Sequence, residues 1–216
     1  MESYVRTYLY RDLGRLFPGL DHDRFGLLVH LLAGLSGGIL NLAEMARVLG
    51  VSQPTIDRYV DIAHGTFLWR RIPAFSRQVK KRIARRPKGY LRDSGLLHHL
   101  LHIPDARALS THHQLGSSWE GMIIEEVLRG FASRGIPCEP FHYRTGGGAE
   151  VDLLLEGDFG LVPIEIKHTQ TVRARDLRSI HDFVQENDCS FGIVINNDEK
   201  PRLYDERLVG VPSVWI

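Results

Sequence analysis

Apolar residues recur at helical spacing through the first third of the chain, then gather into short strand-like runs in its second half. Tyr4, Tyr8, Leu9 and Leu13 predict a helix over 3–16, ending near Phe17-Pro18-Gly19. A second helix is expected from Asp23 to Leu35, closed by Ser36-Gly37-Gly38. Leu42–Leu49 and Ser52–Val60 flank a turn at Gly50-Val51, with Leu42, Ala46, Leu49, Ile56, Tyr59 and Val60 facing inward. Ser52 can cap the second of these helices, and Pro54 is tolerated in its first turn. Two short helices around a glycine-containing turn form a helix-turn-helix. Phe67–Ile72 and Gly89–Arg92 read as strands, so 1–92 is expected to be a helical winged-helix domain with a basic wing.

Asp93–Leu101 opens a further helix, capped by Asp93 or Ser94, and 103–116 reads as loop, making 93–116 a helical connector. From Ser117 to Arg134, Trp119, Ile123, Val127 and Phe131 run down one stripe, beside Ile124 and Leu128. Glu120 sits at i with Ile123, Ile124 and Val127 at i+3, i+4 and i+7, so it points inward, while Glu125 and Glu126 fall nearer the edge. Strands are predicted at 138–143, 151–155 and 161–167, a helix at 174–186, and strands at 191–195 and 211–216. The expected class is thus a mixture of α+β and α/β, with an αβββαββ domain over 117–216.

Charge interrupts two of these buried-type strands. In Ala149–Leu155, period-two alternation puts Glu150, Asp152 and Leu154 on one face and Val151, Leu153 and Leu155 on the other. In Val162–Lys167, Glu165 and Lys167 share a face against Ile164 and Ile166. Gly157–Gly160 is hairpin length, and matching the charged faces sets Asp152 opposite Glu165 and Glu150 opposite Lys167. Like charges across a ladder repel, and buried carboxylates need a partner. A cation is therefore expected between Asp152 and Glu165, with Glu120 as the third acid and Glu150 as an auxiliary.

Net charge is only +1, but ten Lys or Arg and no acid fall between Arg70 and Arg92, leaving 17 basic against 26 acidic residues elsewhere. Such a block suggests a polyanionic partner. Gln53, Thr55 and Arg58 could face a groove of duplex DNA, with Lys80, Lys81, Arg82, Arg85 and Arg86 near phosphates. Alternatively, the module mediates only protein contacts. Cys138 and Cys189 are too few for a zinc cluster or disulfide framework, and reduced thiols fit the cytoplasm. No apolar run reaches the roughly 18 residues of a membrane span, and the amino terminus lacks signal-peptide form. His98, His99, His102, His112 and His113 match no ligand spacing well. Arg144–Gly148 reads as a flexible hairpin turn rather than a phosphate cradle.

Two or three carboxylates with a lysine suit metal-assisted phosphodiester hydrolysis. Their oxygens favour Mg2+ or Mn2+, which would polarise the phosphate and acidify a bound water. In this reading Asp152 is the bridging ligand, Glu165 the second and the Ile166 carbonyl a third. Glu120 holds the ion directly or through water, and Lys167 is the catalytic cation.

Asp152 followed by Glu165-Ile166-Lys167, with Glu120 upstream, resembles the PD-(D/E)XK nuclease signature, although Val151 stands in place of the proline. The resemblance covers about 117–216 and implies a restriction-endonuclease-like fold. More narrowly, Arg86–Leu97, Trp119-Glu120-Gly121, Tyr143-Arg144-Thr145, Glu150-Val151-Asp152 and Pro163–Lys167 look like the carboxy-terminal half of prokaryotic AAA+ family ATPases. There, a winged helix and a nuclease-like domain follow an ATPase module. No Gly-x-x-x-x-Gly-Lys-Ser/Thr occurs here, so the chain is expected to be a truncated product or a stand-alone remnant. The resemblance implies DNA-related or defence-related work, with an ATPase module or a second copy of the chain as partner. The alternative to a nuclease is a catalytically inactive nucleic-acid-binding or protein-interaction module.

Overall fold

The computed structural model of the protein describes residues 1–78 and 86–216. Lys80, Lys81, Arg82 and Arg85 lie outside the described residues. The chain divides into two compact units, one of residues 1–71 and 89–118, the other of 72–88 and 119–216.

The first unit is mostly helical. It begins with α1 (Glu2–Arg6), a π-helical turn (Thr7–Asp12) and α2 (Leu13–Leu16), where a single helix is expected from the sequence. Next come α3 (His22–Gly34), β1 (Gly38–Ile39), α4 (Leu42–Leu49), α5 (Gln53–Gly65), β2 (Trp69–Ile72) and β3 (Lys88–Leu91). Short polar side chains start the helices: Asp21 accepts from the Arg24 N–H, Asn41 from Glu44 and Ser52 from Thr55. Gly50, at φ +63°, ends α4 in the left-handed conformation that glycine tolerates best. Phe25, Leu28, Leu32, Ile56, Val60 and Trp69 are fully buried in one core. The small sheet has the order β1-β3-β2, and glycine at position 89 is required, since a Cβ there would meet the Trp69 ring at 2.2 Å.

The segment read as a connector belongs to this unit. Asp93 caps α6 (Ser94–Leu100), and the stretch expected to be loop holds α7 (Ala106–Ser110), capped by Asp105. Pro104 masks that start signal in the sequence, although proline is tolerated just before a helix.

The second unit takes up α8 (Leu115–Ser133) from Trp119, followed by β4 (Glu139–Arg144), β5 (Glu150–Gly157) and β6 (Gly160–Ile166). A 3-10 turn (Ala174–Leu177), α9 (Arg178–Glu186), β7 (Gly192–Asn196), β8 (Arg202–Leu203) and β9 (Leu208–Pro212) follow. The sheet order is β4-β5-β6-β7-β9-β8. It is mixed: β4, β5 and β6 pair antiparallel, β6, β7 and β9 parallel, and β8 antiparallel to β9. The final strand ends at Pro212, and Ser213–Trp215 form a 3-10 turn where strand is expected from the sequence. The two-residue β8, exposed and without alternation, left no pattern to read.

Helix α9 lies between the parallel strands β6 and β7 in the chain, as a parallel crossover requires. Its Ile180, Phe183 and Val184 pack with Val151, Leu154 and Val194 of the sheet. Phe75 joins this core edge-on to Phe141 and Phe183, at 5.8 Å from each. Backbone bonds from the Phe75 N–H to the His142 carbonyl and from the His142 N–H to the Pro73 carbonyl lay Pro73–Phe75 along β4. That segment covers a sheet edge that would otherwise expose its donors and acceptors.

Candidate acidic site

The β5–β6 hairpin is tighter than expected. Gly157 pairs with Gly160, so only Asp158 and Phe159 form the loop, and Gly160 takes φ +90°. The ladder then runs in register to Leu153 opposite Ile164, and this register sets Asp152 opposite Glu165.

Across β4 and β5 the register shifts. Phe141 pairs with Leu154 and Tyr143 with Val151, so one residue of β4, His142, faces two of β5, Asp152 and Leu153. This is a β-bulge, and it resets the alternation assumed above. Val151 and Leu154 enter the same apolar cluster against α9, so Leu154 does not share a face with Glu150 and Asp152 as simple period two requires. Freed from the regular ladder, Asp152 turns a carboxyl oxygen to the backbone: the Ile166 N–H donates to its Oδ2 at 2.8 Å. The bulge thus ties Asp152 to the end of the strand that carries Glu165.

Glu165 is 5% exposed, and its Oε1 lies 2.5 Å from Lys167 Nζ. Among the described residues Lys167 therefore pairs with Glu165, which shares its face, and not with Glu150, expected opposite it. The other oxygen of Glu165, Oε2, is buried and has no hydrogen-bond partner among the described residues. Burial, followed by the charge of Asp152, pushes Glu165 up to about 8, with Lys167 opposing. Burial also raises Asp152, against the pull of Lys88, Lys167 and the Ile166 N–H. Two buried carboxyls this close hold on to a proton in the absence of a further cation. Burial disfavours the Lys167 ammonium, but the charges of Glu165 and Asp152 outweigh it and raise its pKa.

Lys88 is one of the ten basic residues counted between Arg70 and Arg92, and it lies inside the acidic cluster. It is 5% exposed, and its Nζ donates to Glu120 Oε1 at 2.7 Å and Glu150 Oε1 at 2.9 Å. Burial works against the charge, yet Glu120, Asp152 and Glu150 together hold the Lys88 pKa above its ordinary value. Glu150 responds in kind: burial raises it, but Lys88, then Arg144 and His142, bring it below the usual carboxylate range. The only hint of Lys88 in the sequence was Pro87-Lys88-Gly89, where the basic block gives way to a strand.

Helix α8 brings Glu120 to the cluster, as its stripe predicts, but Glu125 departs from expectation. It is 1% exposed where an edge position is predicted, with Arg129 Nε 4.0 Å away. Two further polar groups border the strands and were missed. Burial lowers the His142 pKa; its Nε2 lies 3.3 Å from the Arg86 carbonyl, which can only accept, so the neutral ring keeps its proton there. Its Nδ1 is then a buried acceptor with no donor among the described residues. The Trp119 ring meets His168 edge-on at 4.8 Å, and its Nε1 is likewise buried without a partner among the described residues.

Among the described residues, no three or more His, Cys, Asp or Glu are arranged to hold a metal ion. The histidines of residues 98–113 disperse: His98 bonds Ser118 Oγ at 2.7 Å, His99 pairs with Glu2, and His112 stacks on His113.

On α5, Gln53 and Arg58 are exposed and Thr55 half-buried, but Asp57 and the exposed Asp61 share the helix. Asp61 is paired with Arg71 at 2.9 Å. Of the basic block, Arg86 is exposed, Arg77 Nε donates to Asn187 Oδ1 at 3.2 Å, and the Arg92 guanidinium sits 5.0 Å over the Phe67 ring. Arg144–Gly148 is a turn closed by the Thr145 N–H on the Ala149 carbonyl.

Residues 115–214 match a domain of unknown function (DUF4143), which is found in AAA-ATPase-associated proteins. Residues 1–107 match a second domain of unknown function (DUF8612). The chain is also similar to uncharacterized proteins of Mycobacterium bovis and Mycobacterium tuberculosis, each 36% identical over 179 residues. These matches cover 82% of this chain but only 40% of the relatives' length. No solved structure matches the chain, and no helix among the described residues is long and apolar enough to cross a membrane.

Proposed function

We propose that the unit of residues 72–88 and 119–216 is a divalent-metal-dependent DNA nuclease of PD-(D/E)XK type. In this reading the first unit is a winged-helix module that delivers duplex DNA. The carrying observation is the buried pair of Asp152 and Glu165, with the Glu165 Oε2 unpartnered and its pKa pushed up to about 8. Such a pair is stabilised by a cation that neither lysine fully supplies. The donor set fits Mg2+ or Mn2+: Mg2+ keeps several waters and needs only one or two carboxylates beside substrate phosphate. A trio of acidic ligands is therefore not required. Asp152, Glu165 and the Ile166 carbonyl would hold the ion, which when bound would neutralise phosphate charge and acidify a water. Lys167, anchored by Glu165, presents a fixed ammonium toward charge developing on the phosphate oxygens. Glu120 and Glu150, held by Lys88, shape the negative field around them.

DNA contact is assigned to the basic stretch around Arg86 more than to Gln53, Thr55 and Arg58, because Asp57 on the same helix offsets the charge of Arg58. The natural setting is cytoplasmic, alongside an ATPase module or as a homo-oligomer.

The test is to incubate plasmid and branched DNA with Mg2+ or Mn2+, comparing wild type with Asp152→Ala and Lys167→Ala. Cleavage by wild type alone supports the reading, and equal cleavage by all three sinks it. A second reading, a non-enzymatic binding or ATPase-interaction module, is favoured by one observation: Lys88 already serves as a buried counter-ion for two of the four acids. Salt-sensitive DNA binding without cleavage or metal uptake would select it.

A further inference from the structure

Among the described residues, the cluster contains four carboxylates, Glu120, Glu150, Asp152 and Glu165, and two ammonium groups, Lys88 and Lys167. Arg144 Nε lies 3.9 Å from Glu150 Oε2, so Glu150 has two cations beside it, Lys88 and Arg144. The cations are unevenly placed. Lys88 Nζ donates to one oxygen of Glu120 and one of Glu150 at 2.7 and 2.9 Å, spacings typical of charge-assisted hydrogen bonds. A cation bridging two carboxylates in this way occupies the place a metal ion would take between them. Among the described residues, Lys167 by contrast forms its ion pair with Glu165, and the other oxygen of that residue is buried without a hydrogen-bond partner.

We infer that Lys88 is a built-in substitute for a second cation, so that the site takes a single divalent ion, held by Asp152 and Glu165. This rests on the metal-dependent reading above and adds stoichiometry and a positioning residue to it. Lys88 touches neither substrate nor the bound ion; it acts through Glu120 and Glu150, withdrawing them as ligands. Replacing it with a neutral side chain leaves two half-buried carboxylates facing a vacated cation position. A second ion, or a much tighter first one, then becomes favourable. The guanidinium of Lys88→Arg keeps the charge and should keep the stoichiometry.

The experiment is calorimetric titration of the full chain with Mn2+, with no DNA present and no cleavage read. Wild type is expected to bind one ion, and Glu165→Gln none. Lys88→Met is expected to bind two ions, or one at least about tenfold more tightly, as loss of a nearby positive charge dictates. Lys88→Arg should resemble wild type. Two ions in wild type, with the second removed by Glu120→Gln or Glu150→Gln, would overturn the inference while leaving the metal-dependent reading intact. Unchanged stoichiometry and affinity in a folded Lys88→Met would overturn it equally. If no variant binds Mn2+, both the inference and the reading beneath it fail. If Lys88→Met alone binds, Lys88 replaces the only ion, and the one-ion site is wrong. Two ions in wild type would overturn the inference even if Lys88→Met does not fold.

Discussion

Glu120 and Glu150 meet Lys88 at 2.7 and 2.9 Å, and the contact favours charge on both sides: Glu150 is lowered and Lys88 raised. Asp152 and Glu165 have a lysine too, but among the described residues the ion pair of Lys167 is with Glu165; burial drives both carboxyls upward, and the charge of Asp152 adds to the rise of Glu165. The two pairs have similar composition and opposite electrostatics. The difference is geometric: one ammonium bridges its acids, while the other sits to one side of them. A bridged pair belongs to the framework, and an unbridged pair is left able to take up something else.

The largest break in that comparison comes at Lys88. Removing one partner of a buried ion pair leaves uncompensated charge, typically costing about 3–5 kcal/mol. Lys88→Met should lose about that much in urea denaturation at pH 7, and adding Glu120→Gln and Glu150→Gln should restore most of it. Loss of the same size in the triple variant would mean that Lys88 matters for its packing and not its charge.

Next in size is the response to metal. An ion that binds only the folded chain stabilises it by about 2.7 kcal/mol at a hundredfold excess over its Kd. Saturating Mn2+ should therefore raise the melting temperature of wild type by several degrees and leave Asp152→Asn unmoved. Equal shifts in both would place the ion elsewhere.

The third effect is pH dependence. Glu165 has a raised folded pKa, so its folded state takes up protons more readily than the unfolded chain. The resulting stability is fully present below the ordinary carboxylate range and is lost as pH rises through about 8. Glu150, being lowered, acts in the opposite window and contributes stability that is lost in acid. Metal-free wild type should melt lower at pH 9 than at pH 6, and Glu165→Gln should flatten that decline. At pH 9 it should recover about 1–3 kcal/mol, the scale of an unsatisfied buried group. A decline just as steep in Glu165→Gln would assign it to another group.

The helical unit was largely legible because periodicity, caps and the Gly50 turn report local physics: Ser52 and Asp93 cap the helices they were expected to cap, while Asp21 caps a helix expected to start at Asp23. In the second unit, the element types and the Asp152–Glu165 register followed from parity and hairpin length. The bulge at Asp152-Leu153 was not legible, since one extra residue in a ladder leaves no compositional trace, and it alone moved Leu154 to the α9 face. Lys88 was hidden for a different reason. A lysine among nine other basic residues reads as part of a solvated run, and only tertiary placement distinguishes the one that is buried. Glu125 illustrates the same limit on a helix, where a position near the edge of the apolar stripe became one of the most buried acids.

The smallest effect is also the sharpest control on what burial contributes. Asp61 and Arg71, within the helical unit, approach to 2.9 Å, as close as Lys88 and Glu150, but the Asp61 side chain is 60% exposed and that of Lys88 6%. Exposed pairs gain little, because water solvates each charge nearly as well as its partner does. Double-mutant measurements on such pairs give about 0.2–1 kcal/mol. Asp61→Asn should therefore cost no more than about 0.5 kcal/mol in the same urea titration used for Lys88→Met, and should lose even that in 0.5 M salt. The Lys88 deficit, shielded from ions, should persist at that salt concentration. If Asp61→Asn proved as damaging as Lys88→Met, contact distance and not burial would set the strength of these pairs, and the contrast between the bridged and unbridged acids would have to rest on geometry alone.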